Sequence, residues 1–358
     1  MKLPRFVYLC FMGIVLALGS CTTQENVNPQ ETPSLKADIF EQDGRLVFRD
    51  VEVYEETRLM LRDNSDFHDV WEQQFPNFTS MRTAFDNLSE LEWDRIYDNA
   101  SNQGFENLLT LVWEEGKTFH VERVVPLDYV ATMVNHDGLV QIGNELYKHT
   151  QDHLLIIDVS NKEIDKKWIH IHSAEQVEPN AEVKILSFSY QDLPSGEGTR
   201  LTERVSLKGN TTCTKNFNSG VRRIRGTIRM GFQFSGGTPY EVVWANTYYE
   251  KRKNRFSGWR YQTINRICFN SLRGTARLRI RGTNNFITRN ITPLNRCLNE
   301  RYGISGVIFE TDPGGQLEIT DWGSPHNLSV EHKIHFTNSS GAIVRTEFCN
   351  TVADGMNR

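Results

Sequence analysis

The chain has 358 residues, 24% of them charged and 38% hydrophobic, with a net charge of −5. That balance excludes a disordered or low-complexity protein, and the length allows about two domains. The net charge conceals a split: residues 22–200 carry 15 Lys+Arg against 34 Asp+Glu, whereas residues 201–358 carry 23 against 11. So large an asymmetry predicts two domains with different partners, or two that face each other.

Lys2 and Arg5 precede the apolar run from Phe6 to Leu18. This pattern predicts a secretory signal, because the run is too short and wrongly flanked for a membrane span. Leu18-Gly19-Ser20-Cys21 then resembles a bacterial lipobox. The expectation is a signal peptide over 1–20 and lipid attachment at Cys21, which would hold the folded part at a membrane surface. Thr22 is not the Asp that retains many such proteins at an inner membrane, so an outer-membrane address is expected. Residues 21–36 are polar and almost free of apolar side chains, which predicts a flexible tether.

Residues 37–160 predict an acidic helical and hairpin domain. Arg45 to Arg49 alternates as a short strand does. Asp50 to Arg62 reads as a helix capped by Asp50, with Val53, Tyr54, Leu59 and Leu61 near one face. Thr79 or Ser80 opens a second helix through Tyr97, and a third apolar segment runs from Phe105 to Trp113. Pro126 opens a short helix that Asn135-His136-Asp137-Gly138 ends. Leu139–Ile142 and Glu145–Lys148 flank Gly143-Asn144, the pattern of a two-residue hairpin, with a third strand at Leu154–Val159.

The run Leu46 to Tyr54, together with Asn135 to Lys148, resembles an uncharacterised family of Bacteroidota lipoproteins. The later basic loop followed by Gly258-Trp259 is similar too, more loosely. The matching motifs cover about 25 residues. The resemblance implies a small helical head before a β-rich C-terminal region, and no reaction.

Residues 161–358 predict a basic, antiparallel β domain. Strands are expected at Lys167–His172, Val183–Tyr190, Val221–Phe234, Tyr240–Glu250, Trp259–Phe269 and Ala276–Arg281. After an irregular stretch, four more are expected at Gly306–Glu310, Gln316–Asp321, Asn327–Phe336 and Ala342–Cys349. Pro194 to Gly198 reads as a loop. Many short strands with regular turns indicate a sandwich or open barrel. The predicted fold class is α+β: a small, mainly helical N-terminal head with a hairpin, then a larger antiparallel β domain.

Two strands carry arginine rows. Arg223, Arg225 and Arg229 share one face with Thr227, and Ile224 and Ile228 share the other. Arg277, Arg279 and Arg281 likewise oppose Leu278 and Ile280. Between the rows lies Lys251-Arg252-Lys253-Asn254-Arg255, a predicted hairpin tip. Guanidinium forks recognise carboxylate, sulfate and phosphate. The rows therefore read as an anion-binding surface, as a solvated outer face, or as a face covered by the acidic half. The arginine strands lack the aromatic platform of a single-strand nucleic-acid binder, so no nucleic-acid partner is expected.

Cys213, Cys268, Cys297 and Cys349 all lie in the basic half. Four cysteines in an exported domain permit two disulfides in three pairings, or four free thiols. His170 with His172, and His332 with His335, are the nearest approach to a metal set. His332 and His335 would point to opposite faces of a strand, and no metal or cofactor is expected. Trp244, Trp259 and Trp322 read as a sugar platform or as core. The function expected is a membrane-anchored, non-catalytic binding or structural module. Its partners would be an anionic polysaccharide, lipopolysaccharide or another protein. The alternative is a carbohydrate-active hydrolase using carboxylates of the acidic half.

Overall fold

The computed structural model describes residues 38–353 apart from 115–117, 160–165, 179–182, 189–210, 254–256, 272–273, 281–282, 292–293, 316 and 323–327. The expected signal peptide, Cys21, the tether, the loop at 194–198 and Arg281 lie outside the described residues.

The chain enters through a hairpin of β1 (Ile39–Gln42) and β2 (Arg45–Phe48). Only its second strand was expected. Its turn is Asp43-Gly44, with φ of 49° and 73°, the left-handed pair that a two-residue hairpin turn requires. Asp50 caps α1 (Val51–Asp63) as expected, accepting from the Val53 N–H at 2.9 Å. A short helix, α2 (His68–Glu72), follows. The single helix expected up to Tyr97 is two, α3 (Met81–Asp86) and α4 (Glu90–Asn99). Ser89 and Glu92 form a capping box that starts the second, and such a box competes with continuation of the first.

A hairpin of β3 (Leu109–Trp113) and β4 (Phe119–Arg123) and the short helix α5 (Asp128–Met133) come next. Then β5 (Leu139–Ile142) and β6 (Glu145–His149) pair about Gly143-Asn144, as expected, and β7 (His153–Asp158) joins them. The strand expected at 167–172 is instead a 3-10 turn over Lys166–His170. Trp168 and Ile171 enter one apolar cluster with Leu139 and Leu155. That spacing of three suits a helical turn, not a strand. His170 and His172 therefore share no strand face.

β8 (Val183–Ser187) pairs with β7, completing a six-stranded sheet in the order β1-β2-β5-β6-β7-β8, with β2 and β5 parallel. This sheet crosses the boundary expected at 160/161, and the described residues fall in one compact unit. The helices among the described residues, α1 to α5, lie on the N-terminal side, where they alternate along the chain with strands of this sheet and the β3–β4 hairpin.

The remainder is strand after strand. They are β9 (Thr211–Phe217), β10 (Arg222–Ser235), β11 (Thr238–Lys251), β12 (Arg260–Tyr261), β13 (Ile264–Ser271) and β14 (Gly274–Ile280), then β15 (Phe286–Ile291), β16 (Asn295–Arg301), β17 (Gly303–Glu310), β18 (Leu317–Trp322), β19 (Leu328–Thr337) and β20 (Ile343–Ala353). The stretch before β17, expected to be irregular, holds β15 and β16. The long hairpin β10–β11 anchors a sheet with β9, β12 and β17. β16-β13-β19-β20 and β15-β14-β18 form two more. None of the described sheets closes into a barrel, and the class is broadly α+β, mostly β. Ile224, Ile228, Ile267, Leu278, Val330 and Ile334 meet in one buried cluster between these sheets. Disulfides join Cys213 to Cys349 and Cys268 to Cys297, the latter directly opposed on β13 and β16.

Candidate functional site

The arginines of β10 are the first test of the expected surface. Ile224 and Ile228 turn toward the β core, so alternation turns Arg223, Arg225 and Arg229 the other way. That face is covered. Arg223 and Arg225 are 3% and 1% exposed. Arg223 meets Glu114 at 2.7 Å and Glu250 at 2.5 Å. Arg225 meets Glu250 at 3.0 Å and Glu122 at 3.3 Å, and Arg229 also clasps Glu122. His120 bridges the two acidic-half carboxylates, Glu114 and Glu122, at 2.8 Å each.

Burial alone would raise Glu122 and Glu250, but the guanidiniums around them hold both below the usual carboxylate range. Glu114 is held low in the same way by His120 and Arg223. Of the three readings of this row, coverage by the acidic half is the one realised. Arg223, Arg225 and Arg229 are not an open anion-binding face, because their partners are carboxylates of the same chain.

The second row lies in another sheet. At the backbone, Arg277 stands opposite Asp321, and Arg279 opposite Glu318. Arg279 is half-buried. The Arg277 side chain and all of Arg281 lie outside the described residues. Trp244 and Trp259 are core, 5% and 3% exposed. The Trp259 indole lies between two guanidiniums, with Arg223 4.1 Å and Arg252 4.4 Å from its centroid. The Trp322 side chain lies outside the described residues. His332 is buried between Thr247 and Thr351, while His335 bonds Thr346 on the other face of β19.

The hairpin tip behaves differently. Lys251 and Lys253 are exposed, and among the described residues neither makes an ion pair. With Arg252 they form one wall of a groove of about 550 Å³. The rest of its lining comes from α3, α4 and four aromatic residues, Phe85, Trp93, Tyr261 and Tyr302, among others. Tyr261 and Tyr302 stack at 4.8 Å, and Phe85 and Trp93 meet edge to face at 5.5 Å. Arg260, also in the groove, is held by Asp94. Trp93, Tyr261 and Tyr302 are each half-buried.

Phe85, Asp86, Tyr261 and Tyr302 also line a second cavity of about 260 Å³ beside the groove. This cavity is lined by Asp69, Asp86, Asp128, Arg82, Arg123, Arg296, Arg301 and His68, among others. Burial raises Asp86 above its ordinary range, against the Tyr302 hydroxyl that donates to it. Burial would raise Asp128 as well, but Arg123 at 2.7 Å holds it well below. Burial lowers His68, whose Nε2 lies 2.8 Å from the Leu61 carbonyl, and so favours its neutral form.

Sequence reasoning found Lys251, Arg252 and Lys253 but missed the groove around them. Trp93, Tyr261 and Tyr302 come from distant segments and carry no local motif. Glu114, His120 and Glu122 did carry one, because His120 and Glu122 alternate onto one strand face.

No protein-family model matches the chain, and no curated protein matches it. Among solved structures, a DUF4848 family protein from Bacteroides thetaiotaomicron is similar, at 13% identity and a TM-score of 0.24. The match covers 87% of this chain and 98% of that one. At that TM-score the likeness bears on neither fold nor function.

Proposed function

We propose that this protein is an exported, lipid-anchored module of the Bacteroidota lipoprotein family it resembles, and that it binds an anionic glycan without catalysis. Cys21 would fix it to a membrane, and the groove beneath the hairpin tip would take the ligand. The observation that carries this reading is that Lys251 and Lys253, exposed and without an ion pair among the described residues, line one groove with Trp93, Tyr261 and Tyr302. Rings stack on the apolar faces of sugars, and ammonium groups attract their acidic substituents. The groove volume falls in the range of sites that hold small ligands.

The test is equilibrium binding of the full mature chain to polygalacturonate, a sulfated glycan and lipopolysaccharide, with neutral dextran as control. The expected result is binding to at least one anionic polymer, weakening steeply with salt. Lys251→Ala/Lys253→Ala should weaken it about tenfold, the scale of a few lost charge contacts. Equal binding to dextran, or no change in the double variant, overturns the groove reading.

One observation favours the hydrolase alternative: Asp86 and Asp128 line one cavity while their environments push their ionisation in opposite directions. That is how acid and base roles divide between two carboxyls. Release of reducing ends from any of these polymers, abolished by Asp86→Asn, would establish it in place of simple binding.

A further inference from the structure

Among the described residues, the arginines buried at the centre of this protein are answered by carboxylates. Arg58 is held by Glu55 and Glu310, Arg82 by Asp69 and Glu72, Arg123 by Asp128, and the β10 row by Glu114, Glu122 and Glu250. Arg296 is not so answered, and unlike Arg95, Arg266 and Arg289 it is not exposed. It projects from β16 into the smaller cavity, half-buried. Its Nη1 donates to the Ser305 carbonyl at 2.5 Å. Among the described residues no carboxylate lies within ion-pair distance of it.

The carboxylates nearest by are engaged elsewhere. Asp128 accepts from Arg123 and, at 3.0 Å, from the Ser305 hydroxyl. Asp86 accepts from Tyr302, and Asp69 from Arg82 at 2.6 Å. Asp66 stands exposed at the rim. Burial accordingly lowers Arg296, with Asp128 and Asp66 only partly opposing.

An Nη1 already bonded leaves Nε and Nη2, the pair of donors on one edge of the guanidinium. That edge matches the two oxygens of a carboxylate. A desolvated guanidinium gains more from an anion than an exposed one does, because water competes less. The cavity adjoins the groove at Asp86, Tyr261 and Tyr302, which line both, so a sugar stacked in the groove would lie next to it.

We infer that the cavity is a carboxylate subsite in which Arg296 receives the acid group of a uronic-type sugar through its Nε–Nη2 edge. The inference rests on the groove reading and names the ligand class: a hexose carrying a carboxylate, in preference to a neutral hexose.

The probe is sodium glucuronate, compared with glucose and with sodium chloride at equal ionic strength, read by thermal unfolding of the full mature chain. At ligand about tenfold above its dissociation constant, glucuronate should raise the melting temperature by about 2 °C. Glucose should not. In Arg296→Gln the rise should vanish, measured against that variant's own baseline. Arg296→Lys, which keeps the charge and loses the fork, should retain part of it. Lys251→Ala/Lys253→Ala should retain most of it.

No rise with glucuronate overturns the subsite, whatever the polymers do. An undiminished rise in Arg296→Gln overturns it as well. Polymer binding lost in the lysine variant, with glucuronate inert, would leave the groove and remove the cavity. Glucuronate binding that needs Arg296, with no polymer bound, would leave the cavity and remove the groove.

Discussion

The arginine row of β10 and the lysine tip that follows β11 lie one hairpin apart, and each is basic. Their fates are opposite. Arg223 and Arg225 are buried under carboxylates brought by β4, by the segment after β3 and by β11, and Arg229 is clasped by Glu122. Lys251 and Lys253 stand in water beside an aromatic groove. A dense run of cations therefore says little about whether a surface is open. What decides is whether the chain also supplies the counter-charges. Here it does so for the row, while among the described residues Lys251 and Lys253 make no ion pair.

The sharpest way to break that contrast is at Glu250, which is fully buried and bridges Arg223 and Arg225. Glu250→Gln leaves two buried guanidiniums short of a counter-charge. It should cost about 3–5 kcal/mol in urea unfolding. A loss below 1 kcal/mol would mean that the row is far more solvated than described.

Acid acts on the same network. Glu114 and Glu122 have folded-state pKa values below their unfolded ones. Their contribution is full above the unfolded carboxylate range and is lost as pH falls below it. Buried His149 and His332, pulled down to about 3, add to this from a higher pH. Between the unfolded histidine range and pH 3 the unfolded chain binds protons that the folded one refuses. The melting temperature should thus start to fall below pH of about 6.5 and fall faster below about 4.5. A flat profile between pH 7 and 4 would contradict it.

The reverse face of β10 offers a smaller perturbation. A Cβ at Gly226 would lie 2.1 Å from His332 Cδ2. Gly226→Ala should cost about 1–3 kcal/mol by overpacking, as measured by the urea midpoint. Together with Glu250→Gln it tests whether both faces of this strand are closed. The smallest effect on stability belongs to the tip: Lys251→Ala/Lys253→Ala should change unfolding by less than about 0.5 kcal/mol. Its consequence should appear only in ligand affinity.

Local signals carried most of the elements. The Asp50 cap, the Gly143-Asn144 turn and the alternation along β10 each depend on a few adjacent residues, and each is where it was expected. Ser89-x-x-Glu92 and Asp43-Gly44 were equally local and were passed over. The 3-10 turn at 166–170 misled because Lys167 to His172 alternates as a strand does, while Trp168 and Ile171 are drawn into a cluster formed by distant residues. The site was less legible for the same reason. Arg223 and Glu114 are 109 positions apart, and Tyr97 meets Trp259 across 162. No window along the chain contains such pairs, and only the folded topology decides which cation meets which anion.

The bond between Cys213 and Cys349 spans 136 positions, and the one between Cys268 and Cys297 lies wholly inside it. The strands from β9 to β20 are thus held in a ring with a smaller ring nested within. A protease cutting once between Cys213 and Cys349 would release no fragment, since both pieces stay tethered through sulfur. Only a cut followed by reduction would shed one. On a non-reducing gel the nicked protein should run as one species, and with thiol added it should separate into two.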